Sequence, residues 1–410
     1  MTDIRPVVHS LNGLRGWAAL AVVFMHLTAP FYAILILQKA SLSRNAWDLW
    51  LAKTPLFVLF NGWFAVMVFF VLSGYVLSSG YFATRRREVV FSSLLRRYFR
   101  LAIPILASSV LVFLILKYGR FFHLEIQALG GDTTLGSLYH FPPDFLDLLS
   151  HSLWQVFQGS NKYNHVLWTM RIELIGSFLV FAILLLVGDS RLRFLLYLYV
   201  LVYWWNIYLK CFVAGLVMAD LHVNLAPPAL DRRDTLRDWL FGGLFLSGLL
   251  LGSYPYRGDD PSAYQQQLVS VTRLVLPGQV AGYFIGAVLL VAGALYAPGV
   301  ARFLGNRLSR FLGEVSFSIY LIHVPITYSI GFGLFLDLRA RGLGDDPAFL
   351  IYFATTVPLV LGAGWLFHRL VDRPGIQAMK WLYARLRDII IPPPATAPAA
   401  ASVWTPPPAR

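Results

Sequence analysis

Long apolar runs alternate with short polar or basic segments along most of the chain, and many approach the roughly 20 residues that a helix needs to cross a bilayer. Ten such runs, bounded by charged or Pro/Gly segments, stand near 15–37, 56–80, 101–116, 167–187, 194–206, 207–222, 238–254, 278–296, 313–335 and 348–370. The expected fold class is therefore all-α, a polytopic membrane bundle of about ten transmembrane helices. Runs 194–206 and 207–222 have almost no loop between them and also read as one broken helix.

Composition points the same way. Of 410 residues, 57% are hydrophobic and only 13% charged, against roughly 25% charged in soluble domains. Mean hydropathy is +0.62, which excludes an ordinary cytosolic enzyme. The net charge of +13 reports loop orientation and anionic lipid before it reports nucleic acid, so no nucleic-acid partner is expected. With the N-terminus inside, 22 of the 34 Lys and Arg residues fall on the cytoplasmic side, 10 fall outside, and Arg171 and Lys210 lie within spans. Both termini are expected in the cytoplasm, in a multi-pass protein of the plasma (inner) membrane. Residues Met1 to Ser10 lack a secretory-signal pattern, so the first run is expected to be retained. The single cysteine, Cys211, rules out an internal disulfide and a Cys-based zinc site, and no metal site is expected.

Outside the runs, Lys117 to His165 forms the longest loop, placed on the outer side, where Trp154, Asn161, Asn164 and His165 are suited to stacking on and hydrogen-bonding a sugar. The expected organisation is a membrane domain over 1–375, an amphipathic inner-leaflet helix over 376–391 and a Pro-rich disordered tail over 392–410.

Ionisable groups inside spans are costly, so each is a functional candidate. His26 lies eleven residues after Arg15, about three turns plus ~20°, so the two share a helix face about 16 Å apart along the axis. Arg15 falls at the cytoplasmic surface and His26 near the midplane. The second span carries Ser73-Gly74, where backbones or a ligand chain approach closely. Arg97 and Arg100 open the third span on one face, where their forks and the helix N-terminus suit phosphate. Glu173 lies about 9 Å inside the outer end of the fourth span and needs a partner, either His26 or a substrate hydroxyl, with Lys210 as the structural alternative. Gly313, Ser316, Tyr320 and His323 form one polar stripe, with His323 about 15 Å above the cytoplasmic end and so close to the depth of His26. Pro325 is placed to kink this helix and free carbonyls.

These features together resemble the acyltransferase-3 family of integral-membrane O-acyltransferases over roughly residues 8 to 375. The resemblance rests on Leu11-Asn12-Gly13-Leu14-Arg15-Gly16 with His26, on Phe70, Ser73 and Gly74, and on Arg97 and Arg100. It rests also on Leu167-Trp168-Thr169 with Glu173, and on Gly313 to His323. The acidic-x-Pro common near the end of the last span is matched by Asp372 and Pro374, with Asp in place of the usual Glu. The resemblance implies acyl-CoA, in the first instance acetyl-CoA, as cytoplasmic co-substrate, with no bound cofactor, and a surface-carbohydrate hydroxyl as acceptor. In that reading Arg15, Ser73, Arg97 and Arg100 bind the donor and His26 is the general base. Glu173 orients His26, and Tyr320 or His323 stabilises the oxyanion. The main rival is a proton-coupled secondary transporter or flippase using Arg15, His26, Glu173 and His323 as a path. It leaves the cytoplasmic arginine pairs unexplained, and the chain shows no convincing internal repeat.

Overall fold

The computed structural model describes residues 5–129, 137–224, 235–255, 260–275 and 280–390. The Pro-rich tail, Arg232 and Arg233, part of the long loop and the start of the eighth run lie outside the described residues. Among the described residues the chain is all-helical, and each of the ten runs is helical. The principal helices are α1 (Arg5–Thr28), α2 (Gly62–Thr84), α3 (Arg87–Lys117), α4 (Trp168–Val187), α5 (Arg193–Tyr203), α6 (Ile207–Asn224) and α7 (Thr235–Gly252). They continue with α8 (Ala281–Tyr296), α9 (Pro298–Leu304), α10 (Arg307–Ile326), α11 (Phe332–Ala340), α12 (Asp345–Phe367) and α13 (Arg373–Ile390).

Six stretches among the described residues are long and apolar enough to cross a membrane, namely α2, α3, His165–Val187, α6, Arg307–Ala340 and Asp345–Tyr383. A seventh is the pair α8 and α9, bent by 94°. The remaining runs fall short for physical reasons. In α1, Asn12, Arg15 and His26 dilute the apolar stretch, α5 has only 11 residues, and the 18 residues of α7 include Arg237 and Asp238. Runs 194–206 and 207–222 are two separate helices. Asn206 separates them by accepting the backbone N–H groups of Tyr208 and Leu209, as a helix N-cap does. Asn61 and Asn306 start α2 and α10 in the same way.

Glycine sets two close helix crossings. A Cβ on Gly16 would lie 2.4 Å from the backbone N of Gly313, and one on Gly74 would lie 1.9 Å from the carbonyl oxygen of Phe212. Any side chain at these positions drives α1 off α10 or α2 off α6.

Contacts sort the helix ends into two groups. Asn61 donates to Gly252 O, Trp63 meets Trp168, Trp168 meets Tyr208, Tyr283 donates to Tyr254 O, and Tyr352 donates to Leu27 O. At the opposite end, Ser10 reaches Ala294 O, Tyr81 and Arg87 hold Asp189, Arg85 reaches Asn224, Phe241 and His222 meet Tyr296, and His368 meets Glu314. The second group carries Arg85, Arg86 and Arg87 and the Arg191–Arg193 turn. α1 and α10 run parallel, with Arg15 level with Gly313 and His26 level with His323. α13 is helical over most of the expected amphipathic segment and packs on α3, with Arg96 over the ring of Tyr383.

Candidate functional site

Arg15 projects from α1 into its crossing with α10. Its Nε donates to Ser316 Oγ and its Nη2 to Gly313 O, both at 3.0 Å. The close approach at Gly16 and Gly313 brings the guanidinium within reach, so the glycines and the arginine form one local device.

From there a cavity of about 200 Å³ extends between α1, α2, α3, α4 and α10. Its walls include Leu11, Val66, Phe69, Phe70, Met170 and Phe317, and its polar lining includes Arg15, Ser73, Arg97, Arg100, Glu173 and Tyr320. Six of the eight residues singled out in the sequence therefore line one space. His26 and His323 do not.

Glu173 does not pair with His26 or Lys210. Its Oε1 accepts from Arg97 Nη2 and from Ser73 Oγ, the latter at 2.8 Å, while Arg97 Nε donates to Ser177 Oγ at 2.8 Å. Lys210 donates to Val202 O. The reason lies in the helix register. α3 begins at Arg87 rather than near 101, so Arg97 sits well inside the helix, facing α4 at the level of Glu173. Two buried charges facing each other satisfy one another. The same register corrects the expectation that Arg97 and Arg100 sit at a helix N-terminus. Arg97 and Ser73 are engaged with Glu173, whereas Arg100 makes no hydrogen bond among the described residues and keeps its fork open to the cavity.

Tyr320 marks the cavity's inner limit. Its hydroxyl donates to Val166 O at 2.8 Å and lies 2.8 Å from Thr169 Oγ1. Beyond it the stripe on α10 continues to His323, whose ring lies 6.0 Å from that of Tyr320.

His323 and His26 face each other. His323 Nδ1 lies 3.0 Å from Ile319 O, His26 Nδ1 lies 2.9 Å from Val22 O, and His323 Nε2 lies 3.2 Å from His26 Nδ1. A carbonyl only accepts, so each Nδ1 carries the proton in the neutral pair. His323 Nε2 is then an acceptor, shared with Val22 O by the His26 Nδ1–H. That leaves His26 Nε2 bare and, among the described residues, without a hydrogen bond. The imidazole is held in the tautomer that makes Nε2 a base.

His165, read from the sequence only as part of a sugar-contacting loop, completes a group of three imidazoles. Its ring lies 5.0 Å from that of His26 and stacks on Tyr328 at 5.8 Å. The adjacent Asn164 is not free for a sugar, since its Nδ2 donates to Leu321 O at 2.7 Å. Pro325 lacks the N–H that would otherwise bond that carbonyl, so Asn164 takes its place. The legible signal was the proline four residues after Leu321. Trp154 is 65% exposed and touches none of this. His368 and Asp372 form a further pair at 2.9 Å on the π-helical stretch that joins α12 to α13. Among the described residues no His, Cys, Asp and Glu cluster is placed to hold a metal ion.

This geometry of a polar-ended cavity leading toward an oriented histidine pair is carried by residues that also match a known family, and the match spans residues 8–369 of the acyltransferase domain model. The chain is a member of the acyltransferase-3 family. Similar proteins include the O-acetyltransferase PaAT-1 of Phomopsis amygdali, 26% identical over 93% of this chain and 86% of the relative. They also include acyltransferase R4 of Phoma sp., 26% identical over 91% of this chain and 95% of the relative, and acyltransferase clz18 of Cochliobolus lunatus, 26% identical over 92% and 96%. No solved structure matches the chain. As an acyltransferase-3 member it is an acyl-transferring enzyme, and its apolar helices make it an integral membrane protein.

Proposed function

We propose that this acyltransferase moves an acyl group, acetyl in the simplest case, from acyl-CoA on its arginine-rich face to a hydroxyl of a cell-surface carbohydrate or a related glycan or lipid-linked acceptor. The protein would cross the plasma membrane about ten times with both termini in the cytoplasm. The observation that carries this reading is the bare, oriented Nε2 of His26 beyond an arginine-lined cavity. The name O-acetyltransferase given to PaAT-1 supports oxygen as the accepting atom.

Arg15 and Arg100 hold the phosphates of the donor at the arginine end, and the apolar walls guide the thioester inward. The acceptor hydroxyl gives its proton to His26 Nε2 as its oxygen bonds to the thioester carbonyl carbon. His323 accepts from His26 Nδ1 and keeps the ring aligned, a role better supported than the one expected for Glu173. Tyr320, once turned from Val166, is a donor for the oxyanion. The intermediate expels CoA thiolate, which takes the proton from His26, leaving ester and free CoA. Glu173 and Arg97 hold α3 and α4 together around the cavity.

The test uses purified protein, [14C]acetyl-CoA, and membranes of a deletion strain as acceptor source. Label is expected in the glycan fraction with wild-type protein, and His26→Ala is expected to lower transfer by at least about 100-fold at unchanged membrane level. Uptake of label without transfer would favour a carrier, and undiminished transfer by His26→Ala would remove the histidine from the mechanism.

A further inference from the structure

His165 stands out because the mechanism above does not use it, yet the protein holds its ring firmly. It is backed by Tyr328 and carried by a turn that Asn164 pins to the carbonyl freed by Pro325. Its position 5.0 Å from His26 comes from an element other than the two that bear the histidine pair.

The state of its nitrogens follows from burial. Nδ1 is buried with no hydrogen-bond partner. A neutral imidazole carries one proton, and a sealed-off N–H is a worse tenant of a protein interior than a sealed-off lone pair. The proton therefore sits on Nε2, which has no hydrogen bond among the described residues. The neighbouring ring, its centroid 5.0 Å away, is that of His26, whose Nε2 is bare. One unpartnered donor and one unpartnered acceptor on neighbouring rings are the complement of a hydroxyl group, which offers a lone pair and a proton.

We propose that His165 is a second substrate-contacting catalytic residue, whose Nε2–H holds the oxygen of the acceptor hydroxyl while His26 Nε2 takes its proton. The inference rests on the acyl-transfer reading and deepens it. The hydroxyl oxygen accepts from His165, its proton passes to His26, and the new C–O bond forms as the C–S bond to CoA breaks. The proton then leaves on the CoA thiol, and His165 ends as it began. Because the two rings grip the hydroxyl and not the donor, His165 governs acceptor recognition and leaves donor binding alone.

The experiment compares full-length His165→Leu, His165→Gln and His165→Asn with wild type, using [14C]acetyl-CoA and deletion-strain membranes as the acceptor. His165→Leu is expected to raise the amount of acceptor membrane needed for half-maximal rate at least tenfold while the KM for acetyl-CoA stays within twofold. Glutamine places an amide N–H near the imidazole Nε2 and asparagine places one near Nδ1, so Gln is expected to recover more activity than Asn. This ranking tests the idea even if the leucine variant folds poorly, and CoA-dependent shifts in melting temperature report folding of each. An unchanged acceptor dependence, an equal rise in donor KM, or Asn matching Gln overturns the proposal while wild-type transfer keeps the acyl-CoA reading intact. Wild-type protein that transfers no label overturns both.

Discussion

At the scale of single residues, the arginines of the cavity differ in what they hold. Arg100 makes no hydrogen bond among the described residues, so Arg100→Ala is expected to raise the KM for acyl-CoA by roughly tenfold or more, the loss of one charge-assisted hydrogen bond, with melting temperature unchanged. Arg15 also ties α1 to Gly313 and Ser316. Arg15→Ala should therefore raise the donor KM and lower the melting temperature together, and separation of these two effects would contradict its double role. Glu173 and Arg97 are 15% and 11% exposed in their side chains. Removing one partner strands the other, at a cost of about 3 kcal/mol. Glu173→Ala should accordingly destabilise, and adding Arg97→Met should restore much of the stability and activity. If activity stayed lost in a stable double variant, Glu173 would be acting on the chemistry directly. The sequence identified the polar residues of this site because each stands out in an apolar span. It misassigned the partner of Glu173 because pairing depends on where a neighbouring helix begins. Apolar content locates the middle of α3, but its first turns from Arg87 are amphipathic, so Arg97 and Arg100 read as the helix start when they lie well inside it.

At the scale of elements, one proline organises the surroundings of the histidine group. Pro325 frees Leu321 O, and Asn164 closes that gap from the start of the fourth span, bringing His165 up to His26. Asn164→Ala leaves a buried carbonyl unpaired and is expected to cost about 1–3 kcal/mol. Pro325→Ala alone gives the carbonyl a helical N–H that competes with Asn164, and in combination it should offset much of the Asn164→Ala loss. A double-mutant cycle on melting free energies measures the coupling, and strict additivity would show that the two residues act separately. The long apolar helices were legible, since apolar length is written locally. The Asn164 contact was not, because it joins residues 157 apart in sequence.

At the scale of the molecule, the paired helix ends bear on the proposed ten crossings, of which apolar length alone supports six or seven among the described residues. α4 ends where Tyr81 and Arg87 hold Asp189, and α6 starts where Trp168 meets Tyr208, at the opposite end. The chain must therefore traverse the bundle between them. Only α5 and Trp204–Asn206 are available, about 16 Å of helix and about 10 Å of extended chain, which is close to the thickness of the hydrocarbon core. On the proposed topology α1 would run up, α2 down, α3 up, α4 down, α5 up, α6 down, α7 up, α8 down, α10 up and α12 down, the ten crossings proposed above, with both ends of the bundle on one side. That side bears Arg85, Arg86, Arg87, Arg191 and Arg193, and positive residues favour the cytoplasm. The arrangement predicts accessibility at two single cysteines introduced after Cys211→Ala. Ser190→Cys, on the turn between α4 and α5, should react with an impermeant maleimide only after the membrane is opened. Tyr118→Cys, just past α3, should react in intact cells. If Ser190→Cys reacted from outside while Tyr118→Cys did not, the orientation would be reversed. Reaction of both from the same side would mean that the α3–α4 segment does not span as assigned.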